Sequence, residues 1–223
     1  MKTTLYKYLS YIYPIGIDVT SSVYNSVIEI QWQNGVKVLN SDKANFSYGS
    51  LHQVFQQGFK HYNLPNADVQ SILILGFGGG SVYSILRNEL RYKGKITGVE
   101  LDDKIIKAAH QHFNIPSNNK QFTLINTNAL TFVSNNKSAY DLIVVDVFND
   151  LLIPKSFLTT KFLQQLNELL TSKGKILYNV ISQKNTLIKA IEDNEMNYKT
   201  TSINYYGVTN QIIKINHTKN KTT

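Results

Sequence analysis

SILILGFGGGSVYSILRNELRYKGKITGVE, residues 71–100, opens on a short apolar run, Ile72 to Leu75, and breaks at Gly76-Phe77-Gly78-Gly79-Gly80. A helical pattern follows (Val82, Ile85, Leu86, Leu90), then a second strand from Ile96 to Val99 that ends on Glu100. Strand, glycine turn, helix, strand, acid is the order of a nucleotide-binding βαβ unit. Glycine suits the turn because a nucleotide carrying a phosphate or a sulfonium approaches closely only a backbone without Cβ atoms. An acid about 20 residues beyond the glycines stands where ribose hydroxyls can donate to it. The same glycines would also serve plain helix–strand packing. Glu100 in register, with a second acid at Asp102, turns the reading toward an adenosine-type ligand.

The rest of the composition sets the frame. A chain of 223 residues suits one α/β domain with room for a small appendage, and 42% hydrophobic with 17% charged residues is an ordinary globular balance. Cysteine is absent, which excludes disulfides and thiolate metal sites and makes a reducing cytoplasm the simplest home. No apolar run reaches the ~20 residues of a membrane span. The start, MKTTLYKYLSYIYPIGIDVTSS, is interrupted by tyrosines and Lys7 and lacks a signal-peptide core. The net charge of +8 is spread along the chain, so a solvated surface is expected rather than a nucleic-acid interface. No metal site is expected either, because His52 and His61 have no further ligand at metal spacing.

Taken in order, residues 1–22 are aromatic-rich without a clean period. Alternation in 23–32 and again in 36–40, around Asn34-Gly35, predicts a β-hairpin. Leu51, Val54, Phe55, Gly58, Phe59 and Tyr62 predict an amphipathic helix, with Ser47 or Ser50 as its cap and Pro65 beyond its end. After the βαβ unit come a helix over 102–113, a strand over 121–125, a short helix over 128–133 and a buried strand over 140–146. A helix over 154–170, stopped by Lys173-Gly174, precedes a strand over 175–181 and a helix over 184–192. Two last strands, 198–205 and 209–215, meet at Gly207 with no space for a crossover helix, so they must be antiparallel. Residues 217–223 are expected to be a disordered tail.

A parallel doubly wound sheet closed by an antiparallel hairpin resembles the class I S-adenosylmethionine-dependent methyltransferases. More specifically, ILGFGGGSV, TGVELDDKIIKAAHQHF, AYDLIVVDVF and LIPKSFLTTKFLQQLNELLTSKGKILYNV resemble the spermidine synthase (polyamine aminopropyltransferase) superfamily, over roughly residues 20–215. The resemblance implies an α/β, Rossmann-like fold with a mostly parallel seven-stranded sheet. It also implies an N-terminal β element in residues 1–48, a nucleotide-binding domain over 49–216 and a homodimer. The cofactor implied is S-adenosylmethionine or its decarboxylated form. Gly76, Gly78, Gly79 and Gly80 then form the cofactor turn and Glu100 the ribose acid. Asn128-Ala129 stands where the family has Asp-Ala against the adenine, and Asp146 lies beside the sulfonium.

Departures from the family bear on the chemistry. Ser81 replaces an aspartate after the glycines, and Ser50 stands near the place of a substrate-holding glutamate. The family's Asp-Ser-Ser-Asp reads Asp146-Val147-Phe148-Asn149 here. Asn149 therefore takes the base position, and an amide cannot accept a proton; Asp150 would serve only with a shifted loop. Asp146 and Asp150 are the candidate catalytic acids, with Tyr48, Ser81, Phe148 and Asn149 about the acceptor. A diamine needs several carboxylates to hold and deprotonate it. Their loss favours methyl transfer to a small acceptor, an amine among the candidates. Aminopropyl transfer, a non-catalytic nucleotide-binding module and RNA methylation remain as alternatives.

Overall fold

The computed structural model describes residues 2–41, 45–47, 49–149, 151–205 and 207–218, with the side chains of 2–3 and 45–47 left out. Tyr48, Asp150 and residues 219–223 of the expected tail lie outside the described residues.

Two sheets are present. The smaller is antiparallel, ordered β1 (Ile15–Thr20), β2 (Ile28–Gln33), β3 (Val36–Ser41) and β4 (Asn45–Ser47), and is preceded by α1 (Lys2–Leu9). The expected hairpin at Asn34-Gly35 is there, with Ile30 opposite Leu39. The first strand of that hairpin, however, starts at Ile28 rather than Val23. Ser22 is the reason: its Oγ accepts the amides of Tyr24 (3.1 Å) and Asn25 (3.0 Å), and a hydroxyl-closed turn of this kind competes with the sheet ladder. Neither α1 nor β1 was legible in the aromatic-rich start.

Helix α2 (Ser50–Tyr62) joins the sheets. Gly49 occupies its N-cap with no side-chain bond, so Ser50 is the first helical residue rather than the cap (the side chain of Ser47 lies outside the described residues), and Asn63 ends it in the left-handed region at φ 50°. The main sheet contains β5 (Ser71–Leu75), β6 (Lys95–Glu100), β7 (Phe122–Asn126), β8 (Tyr140–Val145), β9 (Leu170–Val180), β10 (Tyr198–Tyr205) and β11 (Val208–Asn216). Their order is β10-β11-β9-β8-β5-β6-β7. The central five are parallel, whereas β11 runs antiparallel to both β9 and β10.

Both faces of this sheet are covered, which explains the unbroken apolar runs of β5 and β8. On one face Ile72, Ile74, Leu142, Val144 and Ile212 pack with Val54, Phe55 and Phe59 of α2 and with Ile28, Ile30 and Leu39 of the small sheet. On the other, Leu73, Leu75, Ile143, Val145 and Tyr178 pack under α5 (Ala129–Asn135), α6 (Thr160–Glu168) and α7 (Lys184–Asp193). Period-two alternation sends successive residues of each strand to opposite cores. The N-terminal β element thus shares a core with the main domain.

Three boundaries depart from the sequence reading. Helix α3 (Ser81–Ser84) runs into a π-helical turn at Ile85–Glu89. The segment expected as one helix over 154–170 is a 3₁₀ turn, Lys155–Leu158, followed by α6, whose N-cap Thr159 accepts the Phe162 amide through Oγ1 at 3.2 Å. Lys173-Gly174 is no helix stop: β9 begins at Leu170 and bulges between the pairs Tyr140–Leu170 and Leu142–Lys175. Thr218, expected in the disordered tail, is held in place: Asn167 binds both its carbonyl (2.9 Å) and its amide (3.0 Å). No described helix is long and apolar enough to cross a membrane.

Candidate active site

Strand order reverses between β5 and β8: the chain leaves β5 toward β6 and β7, then returns to β8 on the other side. A doubly wound sheet opens a crevice at the carboxyl ends of its strands at such a point. Here it is a cavity of about 660 Å³. Gly76 follows β5, Glu100 ends β6, Asn128 and Ala129 follow β7, Asp146 follows β8 and Asn179 lies near the end of β9; all of them line it.

The side over β5 to β7 is built from local sequence. Gly76 adopts φ 80°, and a Cβ there would run into the backbone carbonyl of Asp146. Gly78, at φ 56°, donates its amide to Glu100 Oε2 at 2.9 Å. Oε1 of Glu100 accepts the amides of Leu101 (2.8 Å) and Asp102 (3.0 Å). A carboxylate offers about four lone-pair sites, so three backbone bonds lock Glu100 in place and leave capacity for a ligand hydroxyl. Burial raises its pKa, the three N–H bonds oppose that rise and the Asp102 charge adds to it.

Asp102 turns out to serve structure. Its Oδ1 accepts the Lys104 amide at 2.9 Å and so caps α4 (Asp103–His112). Its Oδ2 accepts Asn25 Nδ2 at 2.7 Å and the Ser22 hydroxyl, pinning the loop between β1 and β2 against the cavity. Asn128 likewise caps α5, its Oδ1 accepting the Leu130 amide at 2.8 Å. The oxygen expected to face adenine is therefore already half occupied.

Across the cavity the groups come from distant parts of the chain. Asp146 Oδ1 accepts Asn179 Nδ2 at 2.9 Å. Burial pushes the Asp146 carboxyl up to about 7; the Asn179 bond pulls it down, and the Glu100 charge raises it further. Asn179 Oδ1 is buried with no hydrogen-bond partner. Ser50 and Leu51 of α2, Phe148 and Asn149 beyond β8, and Val208 and Asn210 of β11 complete this side.

Of the residues singled out in the sequence, Gly76, Gly78, Glu100, Asn128, Ala129, Asp146, Phe148 and Asn149 come together about the cavity. Gly79, Gly80 and Ser81 are not among its lining. Gly80 has a packing reason instead: at φ 92°, a Cβ would lie 2.5 Å from Ile115 Cδ1. Ser81 is buried at the start of α3. The sequence reading missed Tyr24, Asn25, Asn179 and Asn210, all of which line the cavity. Asn179 alone carried a signal, a polar residue inside the apolar run Ile176 to Val180.

The chain resembles two kinds of protein. Polyamine aminopropyltransferase of Vibrio vulnificus is 35% identical over 124 residues, which is 53% of this chain and 40% of that protein. An eEF1A lysine and N-terminal methyltransferase homolog of Drosophila melanogaster is 32% identical over 133 residues, or 55% of this chain and 20% of that protein. The chain thus spans less than half the length of these curated relatives. Among solved structures, human methyltransferase-like protein 13 in complex with SAH matches at TM-score 0.62 and 19% identity, covering 79% of this chain and 86% of that one. Spermidine synthase from Thermotoga maritima matches at TM-score 0.64 and 16% identity, covering 90% and 72%. The fold is that of class I methyltransferases and spermidine synthases. The profile of the spermine/spermidine synthase domain matches residues 58–212, and the chain belongs to that family.

Proposed function

We propose that the protein is a transferase that binds S-adenosylmethionine and moves its methyl group to a small acceptor. One observation carries the reading. The chain bears a net charge of +8, yet its principal cavity is lined by Glu100, Asp102 and Asp146 and, among the described residues, by no lysine, arginine or histidine. An acid-lined pocket in a basic protein is built for a cation. The residues present fit a sulfonium nucleoside: a glycine turn at Gly76 and Gly78, a backbone-locked Glu100 for ribose hydroxyls, Asn128 and Ala129 at the adenine end, and Asp146 toward the sulfonium.

When bound, the cofactor would supply a methyl carbon made electrophilic by its sulfonium, with a neutral thioether as the leaving group. The protein's part is to bring that carbon and the acceptor into line, exclude water and receive a proton. Asp146 suits the last task, because a carboxylate with a pKa near 7 is a better base at neutral pH than an ordinary one. That no lysine, arginine or histidine lines the cavity among the described residues supports a small acceptor over RNA, whose phosphates would need cations there. The exposed Tyr8, Ile12, Tyr13 and Val19 on α1, β1 and the segment between them are the surface on which we place a homodimer.

Aminopropyl transfer is the second reading, favoured by the 35% identity to a polyamine aminopropyltransferase. Calorimetric titration with S-adenosylmethionine, decarboxylated S-adenosylmethionine and methylthioadenosine separates the two. Tighter binding of S-adenosylmethionine is expected. Preference for the decarboxylated form would replace methyl with aminopropyl transfer, and no binding of any of them would remove both.

A further inference from the structure

Asn179 sits near the end of β9, 1% exposed, among Leu177, Tyr178 and Val180, all buried and largely apolar. An aliphatic residue there would keep the strand and its packing intact. The two ends of its amide are treated differently. Nδ2 donates to Asp146 Oδ1 at 2.9 Å, whereas Oδ1 is buried without a partner in a residue that lines the cavity. Buried acceptors are nearly always satisfied, and one that is not calls for a reason. The reason lies in where it stands, beside Asp146, the one carboxylate among the described residues on the acceptor side of the cavity.

We propose that Asn179 is a two-sided positioning residue, its amide holding the Asp146 carboxylate and its carbonyl oxygen receiving an N–H or O–H hydrogen from the acceptor molecule. This rests on the reading of the cavity as a transferase site, and it narrows the acceptor. A group that brings a hydrogen to Oδ1 is accepted. A carboxylate or thiolate would set lone pair against lone pair there and negative charge against Asp146 and Glu100. Among the described residues, the groups that bear on the Asp146 carboxyl are Asn179 from β9 and Glu100 at the end of β6, with Asp102 behind Glu100. Losing the Asn179 amide therefore removes the one side-chain bond among the described residues that favours the ionised form, and no lysine, arginine or histidine among the described lining residues takes its place.

Two variants test this: Asn179→Leu, of similar volume without hydrogen bonds, and Asn179→Gln, which keeps the amide. Carbon-13 NMR of the side-chain carboxyls, with Asp146→Asn to assign the signal, reads the first side. Asn179→Leu is expected to move the Asp146 midpoint upward by about one pH unit, with Asn179→Gln recovering part of the shift. An unmoved midpoint in Asn179→Leu overturns the hold on Asp146. For the second side the probes are n-butylamine and n-butyrate, titrated into each protein by NMR. The parent is expected to bind the amine in preference to the acid, and Asn179→Leu to bind the amine about fivefold or more weakly. Equal response of the two proteins to the amine, or equal binding of amine and acid by the parent, overturns the carbonyl's role. The carboxyl titration uses no nucleoside. A protein that binds none of the three nucleosides but shows the shift breaks the proposed function and leaves the hold on Asp146 standing.

Discussion

The two halves of the cavity are made in different ways. Over β5 to β7 every acid and amide is tied to backbone a few residues off or one strand away: Glu100 to Gly78, Leu101 and Asp102, Asp102 to Lys104, and Asn128 to Leu130. Over β8 and β9 two side chains 33 residues apart in the chain answer to each other, Asp146 to Asn179, and one acceptor is left open. The first half is a preformed cradle whose shape survives without a ligand. The second stores unmet chemistry: a carboxyl raised to about 7 and an unpartnered carbonyl oxygen. The difference teaches that rigidity and reactivity have been placed on opposite sides of one crevice.

Substitutions should divide along the same line. The largest effect is expected at the seam between the halves, at Gly76. Adding a Cβ there combines left-handed strain with a collision against the Asp146 backbone, so Gly76→Ala should cost about 3 kcal/mol or more in urea unfolding. A stable Gly76→Ala protein would show that the two halves are less tightly joined than their geometry states. Next comes Glu100→Ala, which removes a charged acceptor already oriented by three amides. It should weaken nucleoside binding by about 2–3 kcal/mol, read by calorimetry, while leaving Asp146 with a lower pKa because the neighbouring charge is gone.

Asp146 tests the reactive half through pH. Its carboxyl stays protonated up to about 7 in the native state, whereas an unfolded aspartate ionises near 4. Between those values the unfolded chain has released a proton that the native one keeps, so stability falls as pH rises through the window and is lowest above it. Asp146→Asn removes that loss. It should match the parent near pH 4 and exceed it by about 2 kcal/mol at pH 8, a figure below the full linkage value because the side chain keeps some contact with solvent. Equal melting curves at both pH values would put Asp146 in the ordinary carboxylate range. The smallest change is expected from Asn128→Asp in the preformed half. Both residues cap a helix equally well, so stability should move by less than about 0.5 kcal/mol. The second oxygen, free of the Leu130 amide, should tighten nucleoside binding a few-fold, checked by the same calorimetry.

Legibility in the sequence followed the same division. The strand–turn–helix–strand run 71–100 declared itself because each of its demands is local. An apolar run buried on both faces, a left-handed turn at Gly76 and an acid at the strand tip all read from neighbouring residues. The antiparallel end of the sheet was also readable, since a connection through Gly207 cannot house a crossover. Helix α6 was misjudged at both ends because its cap, Thr159, and the bulge before Lys175 depend on packing against α7 and β8 rather than on apolar spacing. The N-terminal loop was misread as strand because its alternation was genuine, but Ser22 and Asn25 spend their side chains on Asp102, some 80 residues away.

Local chemistry therefore set the sheet, the glycine turn and the positions of Glu100 and Asp146. The roles of the acids were assigned in three dimensions. Asp102 read as a second acid in support of an adenosine-type ligand and became a cap and a latch, because two segments far apart in the chain converge on its oxygens. Asn179 looked like one polar residue in a strand and became the partner of Asp146, because parallel pairing of β8 and β9 sets their ends side by side. Spacing along the chain governs which residues share a strand or a turn. Which buried groups meet, and which is left without a partner, is governed by how strands distant in sequence are laid next to one another.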